Sequence, residues 1–260
     1  MELSIFQVDA FAGTLFRGNP AAVIPLTEWL PDNLLQNIAM ENNLSETAFF
    51  VPEEEGFHLR WFTPKTEVNL CGHATLATAH VLFNHLGFQG GELQFQSRSG
   101  LLTVSRESHL LFLDFPAACV EPVEIPEGVA RALGQKPLGC WRGGEDLMVV
   151  FEEEKEIQKM APDFARLGKL PYRGIIVTAP GVEADFVSRF FAPAVGVAED
   201  PVTGSAHTAL IPYWARRLGK EALVARQVSQ RGGSLFCRLA GDRVQIGGTA
   251  VTYSIGTLFI

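Results

Sequence analysis

Two polar, glycine-bearing segments hold residues that could do chemistry. Residues 69–80 read NLCGHATLATAH, and residues 199–210 read EDPVTGSAHTAL. Each segment places a glycine, Gly72 or Gly204, where a polar stretch meets an apolar run. Such a run after a polar start predicts a helix. The sequence therefore predicts two helices with similar starts, half a chain apart.

Acid–base groups stand beside both starts. His73 directly follows Gly72, Asp200 lies four residues before Gly204, and Glu46 in NLSETAFF enters an apolar strand. A helix N-terminus offers unpaired backbone N–H groups and about half a positive charge, which stabilise a carboxylate or an enolate. An acid or base on either side of an abstracted proton completes such chemistry. The pattern is typical of proton abstraction next to a carbonyl.

Each of these residues also has a structural interpretation. Asp200 could only complement the dipole of the following helix, and Glu46 could end a capping pattern. His73 could be a hydrogen-bonded core or cap residue. Their occurrence around two matching helix starts favours function.

Cysteine catalysis is the competing mechanism. A two-thiol racemase needs a cysteine at each of two symmetric loops, and Cys71 stands just before Gly72. The matching positions before Gly204 hold Val202 and Thr203, so a two-cysteine mechanism is excluded. Cys71 alone is interpreted as a small buried hydrophobic residue.

The sequence offers no set of metal ligands and no cofactor motif. His73 and His80 share a predicted helix face, but no carboxylate or further cysteine completes a ligand set, and the four cysteines form no CxxC pair. Neither a GxGxxG after the first strand nor a GxxxxGK[ST] supports a nucleotide cofactor, and no GxSxG nucleophile elbow occurs. We therefore expect neither a metal nor a cofactor.

The elements that position these residues occur twice. Three matches recur at offsets of 129, 132 and 133 residues: RWFTP (60–64) with RFFAP (189–193), Gly72 with Gly204, and SRSGLLTV (97–104) with QRGGSLFC (230–237). Their common order and their offsets near half the chain length indicate an internal duplication.

Each half repeats one local pattern. A predicted strand, 57–63 or 184–191, leads through a proline-containing loop to an apolar helix near 72–86 or 204–218, and short strands follow. Helices that are apolar on all sides are buried. Each half is therefore predicted to be a mixed sheet wrapped over a central helix, an α+β unit.

The predicted domains follow from this repeat. An N-terminal lobe covers 1–118 and a C-terminal lobe covers 119–249, with the boundary in the proline-bearing stretch 116–128. The final strand, 250–260, exceeds what the repeat needs and is expected to complete the first lobe. The acidic run EEEKE at 152–156 is interpreted as a solvated face.

Composition excludes several classes of protein. The net charge of −8 argues against a nucleic-acid partner and an anionic membrane surface. The N-terminus has no basic region or long apolar run, and no apolar run is long enough to span a bilayer. A reducing cytoplasm is the expected location.

Five segments together resemble the phenazine-biosynthesis PhzF-like isomerase family, which belongs to the diaminopimelate epimerase fold group. They are DAFAGTLFRGNPAAV, NLSETAFF, RWFTPKTEVNLCGHATLA, AEDPVTGSAH and GGTAV, and they spread from residue 9 to about 251. The resemblance implies two pseudo-symmetric lobes, each a mostly antiparallel or mixed curved sheet around a central helix, with the active site in the cleft between them. It also implies a homodimer.

The resemblance further implies cofactor-independent isomerisation by proton transfer on a small carboxylate, which could be cyclic. By motif position the catalytic residues correspond to Glu46, His73 and Asp200. Ser45, Gly72, Gly204 and Ser205 correspond to residues that bind the substrate carboxylate or the reacting ring. Glu46 is then the base that takes and redelivers the proton.

A second class of function stays open on the sequence. A protein could keep the cleft and bind or sense a small carboxylate without turning it over. The joint presence of Glu46, His73 and Asp200 favours the enzyme, because binding alone does not require a base so placed.

Overall fold

The computed structural model describes residues 1–260. Contacts within the chain define two compact units, one formed by 1–114 with 247–260 and the other by 115–246. None of the six α-helices combines the length and the apolar character that crossing a membrane requires.

The first unit is built from strands and two helices. Its elements are β1 (Glu2–Ala10), β2 (Asn19–Pro25), α1 (Asp32–Asn42), β3 (Glu46–Pro52), β4 (Phe57–Phe62), β5 (Glu67–Val68), α2 (Gly72–Asn84), β6 (Glu92–Ser97), β7 (Gly100–Glu107), β8 (Leu110–Pro116, whose last two residues belong to the second unit) and β18 (Ala250–Phe259).

Helices pack on both faces of the sheet in the first unit. Helix α2 packs against β1, β2 and β3, whereas α1 packs against β3 and β4. Five consecutive residues of β3, 47–51, are therefore buried, which is typical of a strand covered on both faces. Phe49 and Val51 belong to the apolar cluster that includes Leu35 and Ile38 of α1. Glu46 is three residues from Phe49, so its side chain lies on the opposite face of the strand.

The second unit contains the remaining elements. They are β9 (Val120–Val123), α3 (Val129–Leu133), β10 (Gly139–Gly143), β11 (Asp146–Val150), α4 (Glu154–Lys159), α5 (Phe164–Leu167), β12 (Ile175–Pro180), β13 (Phe186–Ala192), a 3-10 turn (Pro193–Val195), β14 (Val197–Asp200), α6 (Gly204–Leu218), β15 (Ala222–Gln227), β16 (Gly233–Ala240) and β17 (Arg243–Gly248, whose last two residues belong to the first unit).

Helix α6 is anchored by large aromatic side chains. Trp214 is fully buried and stacks on Phe186 with a ring separation of 5.7 Å. Its indole nitrogen donates a hydrogen bond of 3.0 Å to the hydroxyl of Thr178. The short helices of this unit, α3 to α5, contribute to a separate apolar cluster with residues of β11, β12 and β13.

The two units share one pattern of strand pairing. In the first, β1 pairs with β18 and β2, β2 runs parallel to β3, and β4 pairs with β3 and β5 and runs parallel to β6. In the second, β10 pairs with β9 and β11, β11 runs parallel to β12, and β13 pairs with β12 and β14 and runs parallel to β15. The predicted α+β fold with two similar lobes is thus confirmed.

The acidic run at 152–156 has a structural role that the prediction of a solvated face did not include. It is not only a solvated face, because Glu153 and Glu156 form a capping box at the start of α4. Glu154 is buried, and its side chain accepts hydrogen bonds from the backbone N–H of Val182 at 2.7 Å and from Gln158 at 2.6 Å. The run therefore caps α4, and Glu154 anchors the loop at Val182.

Candidate active site

An acid and a histidine meet at the start of α2. Glu46 is the first residue of β3, and His73 is the second residue of α2. The Glu46 Oε2 atom lies 3.0 Å from His73 Nε2, and their side chains are 18% and 6% exposed. This is an ion-pair contact without the alignment of a hydrogen bond, and Oε2 accepts no hydrogen bond although it is shielded from solvent.

The other ring nitrogen of His73 also has neighbours. Asn19, fully buried at the start of β2, places Nδ2 at 3.1 Å from His73 Nδ1. The Cys71 sulfur lies 3.5 Å from Nδ1 and 4.0 Å from Nε2. Asn19 of β2, Glu46 of β3 and Cys71 before α2 therefore contact the two ring nitrogens of His73.

The charges of this cluster are coupled. Burial alone would lower the pKa of His73, but the Cys71 sulfur and the Glu46 carboxylate raise it, and the net pKa lies well above the usual histidine value. Burial, with a contribution from Glu46, raises the pKa of the Cys71 thiol to about 11. Because the thiol is protonated at neutral pH, the Glu46 carboxylate is the charge that favours the imidazolium.

The backbone at the start of α2 adds donors to the cluster. Cys71 occupies the N-cap position in an extended conformation, and its side chain does not cap the helix. The first turn carries no acidic residue either. Its N–H groups and the positive end of the helix dipole are therefore not neutralised by a cap, and they can stabilise an anion.

The second predicted start is organised by a glutamine. Asp200 ends β14, and its Oδ2 accepts a hydrogen bond from the hydroxyl of Thr203, the N-cap residue of α6. Gln227, buried at the end of β15, accepts a 2.9 Å bond from the Thr203 N–H and donates a 2.7 Å bond to the Asp200 carbonyl. The loop from 200 to 203 is thus fixed on both sides.

An arginine reaches the first turn of α6. Arg173 forms an ion pair with Asp146, with 2.9 Å between Nε and Oδ1. Its Nη2 lies 3.4 Å from the hydroxyl of Ser205, one of the predicted substrate-binding residues. This contact brings a cation close to the helix start.

His207 of the second unit differs from His73. Its Nδ1–H donates a 2.8 Å hydrogen bond to the Thr203 carbonyl, and its Nε2 is buried without a hydrogen-bond partner. Burial lowers the pKa of His207 to about 4. The residue is a neutral core histidine.

Within each unit the structure groups the predicted residues only in part. In the first unit it joins Glu46 to His73, with Gly72 between Cys71 and His73, while the side chain of Ser45, just before β3, makes no hydrogen bond. In the second, Asp200 ends β14 just before the loop that leads to Gly204, and Ser205 follows Gly204. The roles of all these residues stay predictions.

Sequence reasoning missed three polar residues that hold the helix starts: Asn19, Arg173 and Gln227. Asn19 lies within the RGNP segment that carried part of the family resemblance, which was a usable signal. Gln227 and Arg173 lie at the end of a strand and in a loop, and no local pattern marks them.

The structure also brings together a set of potential metal ligands that the sequence did not indicate. His80, which shares a helix face with His73, does not join this set, because its Nε2 lies 2.9 Å from the hydroxyl of Thr252. Glu46, Cys71 and His73 offer three potential ligand atoms that lie within 4.8 Å of one another. These are the residues that could hold a metal ion.

Comparisons with known proteins place the chain in a family. The model of the phenazine biosynthesis-like protein family, PhzC-PhzF, matches residues 8–256. An isomerase of Pseudomonas aeruginosa, described as uncharacterized, is 55% identical over 99% of both chains. The crystal structure of a PhzF-family protein from Enterococcus faecalis is 49% identical, covers all of both chains and superposes with a TM-score of 0.98.

A more distant structure extends the fold relationship. A hydroxyproline epimerase from Agrobacterium vitis covers 99% of this chain and 92% of its own, with a TM-score of 0.60 at 11% identity. At that identity the likeness concerns the fold alone. The match of the family model to residues 8–256 and the relatives named as isomerases agree with the resemblance read from the sequence. The chain therefore belongs to the phenazine biosynthesis-like, PhzF-type family of isomerases.

Proposed function

We propose that the protein isomerises a small cyclic or acyclic carboxylate by moving a proton between carbon atoms, without a cofactor. The observation that carries this proposal is the contact of 3.0 Å between Glu46 and His73 at the uncapped start of α2. A carboxylate base, a histidine in ion-pair contact with it, and backbone donors for an anion then lie within one cluster.

The proposed reaction uses these groups in two steps. The Glu46 carboxylate removes a proton from a carbon next to the substrate's carbonyl or conjugated double bond, and the electron pair of that C–H bond moves into an enolate or dienolate. The first-turn N–H groups of α2 stabilise the negative charge. Protonated Glu46 then returns the proton to a second carbon, so no atom is gained or lost.

Two features of the cluster support Glu46 as the base. Its Oε2 accepts no hydrogen bond in the free protein, so a lone pair is available for a proton. The side chain also keeps some exposure, in contrast with the buried Asn19 and Cys71 around His73. Asp200 is proposed as a further acid–base or substrate-holding group on the family pattern alone.

The test is proton exchange followed by NMR in heavy water. A dihydro-hydroxyanthranilate, the ring carboxylate that the family resemblance implies as a substrate, is incubated with the wild-type protein and with Glu46→Gln, and a panel of other small carboxylates follows. Entry of deuterium at a substrate carbon with wild type, but not with Glu46→Gln, is the expected result. Binding of a panel member without any exchange would instead identify a non-catalytic carboxylate-binding protein.

A further inference from the structure

The Cys71 thiol takes no part in the proposed proton transfer, yet it completes a compact set of donor atoms. Potential ligand atoms of Glu46, Cys71 and His73 lie within 4.8 Å of one another. His73 Nε2 is 3.0 Å from Glu46 Oε2 and 4.0 Å from Cys71 Sγ. The three side chains are therefore close enough to bind a single metal ion together.

The spacing and chemistry of the set match a particular class of cation. Zinc binds thiolate sulfur at about 2.3 Å and imidazole nitrogen or carboxylate oxygen at roughly 2.0–2.2 Å, so its ligand atoms lie roughly 3–4 Å apart. The two distances to His73 Nε2 fall in that range. A mixed sulfur, nitrogen and oxygen set suits zinc or cadmium, whereas magnesium and calcium prefer oxygen alone.

Two further observations support a bound metal ion at this cluster. Glu46 Oε2 is buried, accepts no hydrogen bond and has lone pairs to donate. Asn19 lies against the far ring nitrogen of His73, at 3.1 Å. If the Asn19 side-chain amide is flipped, its Oδ1 accepts a hydrogen bond from the Nδ1–H of His73. The Nε2 atom of His73 is then left to bind a metal.

We propose that Glu46, Cys71 and His73 bind one zinc-class divalent cation, with a fourth position left open, and that the bound cation inhibits the protein. On binding, the Cys71 thiol and the Nε2–H of the His73 imidazolium each release a proton to solvent as the metal–sulfur and metal–nitrogen bonds form. The carboxylate and the imidazole become ligands and can no longer take part in proton transfer with the substrate. The inhibition rests on the proposed function, whereas the binding does not.

Cadmium is the probe for binding, because a cadmium–thiolate bond has an ultraviolet charge-transfer absorption. Cys119 is exposed and could bind cadmium nonspecifically, so the titration uses the full chain carrying Cys119→Ser after treatment with a chelator. We expect the absorption to saturate at one cadmium per chain. It should vanish when Cys71→Ser is added and persist when Cys140→Ser is added, since Cys140 is buried outside the cluster.

Two variants keep the inference falsifiable if Cys71→Ser does not fold. Glu46→Gln and His73→Gln retain the thiol, and each should weaken cadmium binding by at least about tenfold. An absence of the absorption in the Cys119→Ser protein, or unchanged affinity in both variants, would overturn the site.

Inhibition is measured separately. Zinc should abolish deuterium exchange at the stoichiometry found with cadmium, whereas magnesium should not. If exchange persists at saturating zinc, the inhibition is refuted. A protein that shows the cadmium absorption but no exchange with any carboxylate would contradict the proposed function and leave the metal site standing.

Discussion

Helix α2 begins at Gly72, with Cys71 before it and His73 in its first turn, whereas α6 begins at Gly204, with Thr203 before it and His207 at the end of its first turn. Both histidines are buried. His73 contacts a carboxylate, and its pKa lies well above the ordinary value. His207 contacts a carbonyl and an aromatic ring, and burial lowers its pKa to about 4.

The comparison shows what determines the state of a histidine at a helix start. Both helices carry the same dipole and neither N-cap side chain caps its helix, so these features cannot cause the difference. The difference comes from Glu46, which β3 places beside His73, whereas His207 is buried with a backbone carbonyl as its hydrogen-bond partner and no carboxylate among the groups that shift its pKa. The neighbouring strand therefore determines whether the buried histidine is paired with a carboxylate or is a neutral core residue.

The largest effect is expected on deuterium exchange, from a substitution of Glu46 beside the start of α2. Glu46→Gln should lower deuterium exchange by about 10²–10⁴-fold, because it removes the base and preserves the shape of the side chain. NMR in heavy water measures the rate, and circular dichroism checks the fold. Glu41→Gln is the matched control, since Glu41 is an exposed acid of the same unit, and it should leave exchange unchanged. Equal rates in both variants would remove Glu46 from the mechanism.

The neutral histidine of the second start should make the protein sensitive to acid. The folded-state pKa of His207 is lowered from 6.5 to about 4, so the unfolded chain binds the proton first as the pH falls. Its contribution to stability is complete above pH 6.5 and is lost as the pH falls through 4, a loss of about 3 kcal/mol.

Urea unfolding across this pH range measures that loss. His207→Gln should remove this part of the pH dependence, because glutamine does not titrate and can still donate to the Thr203 carbonyl. His109→Gln, at an exposed histidine, should retain the wild-type slope. Burial together with His85 also lowers the pKa of His80 to about 4, so a residual slope of the same sign should remain in His207→Gln.

Asp200→Asn tests whether the second start takes part in chemistry at all. We expect exchange to fall by about ten- to a hundredfold, since an acid–base or substrate-holding group is lost. Asp242→Asn, at an exposed turn of the same unit, is the control and should behave as wild type. An unchanged rate in Asp200→Asn with a substrate that wild type turns over well would confine the chemistry to the cluster around Glu46.

The smallest effect is expected on stability, from a substitution of Gln227, which fixes the loop before α6. Gln227→Leu removes the partners of the Thr203 N–H and the Asp200 carbonyl, and it should cost about 1–3 kcal/mol of unfolding free energy. Thermal or urea unfolding measures the change, and Gln89→Leu at an exposed loop should be close to neutral. A stable Gln227→Leu protein would show that Thr203 and Asp200 position the loop by themselves.

Much of the fold could be predicted from local patterns. Both helices begin where the residue spacing placed them, at Gly72 and Gly204, and short strands follow each helix as predicted. Such elements depend on the period of apolar residues within a few turns or pleats, which the sequence displays directly. The role of Glu154 could not be predicted, because an acidic run at the surface and an acidic cap with one buried member have the same composition.

The candidate site could be predicted as a set of residue types but not as an arrangement. Glu46 and His73 were singled out because acid–base groups near helix starts suit proton transfer. That Cys71 joins them, and that Asn19 lies against the far side of the ring, follows from the packing of α2 on β2 and β3. No short-range pattern encodes that packing.

The sequence by itself determined the duplicated α+β architecture, the family and the residues able to carry acid–base chemistry, because these follow from spacing, order and side-chain type along the chain. Only the tertiary structure decided which histidine gains a carboxylate and which becomes a neutral core residue. Those outcomes depend on strand register and on burial among residues distant in sequence, and burial sets the cost of each charge.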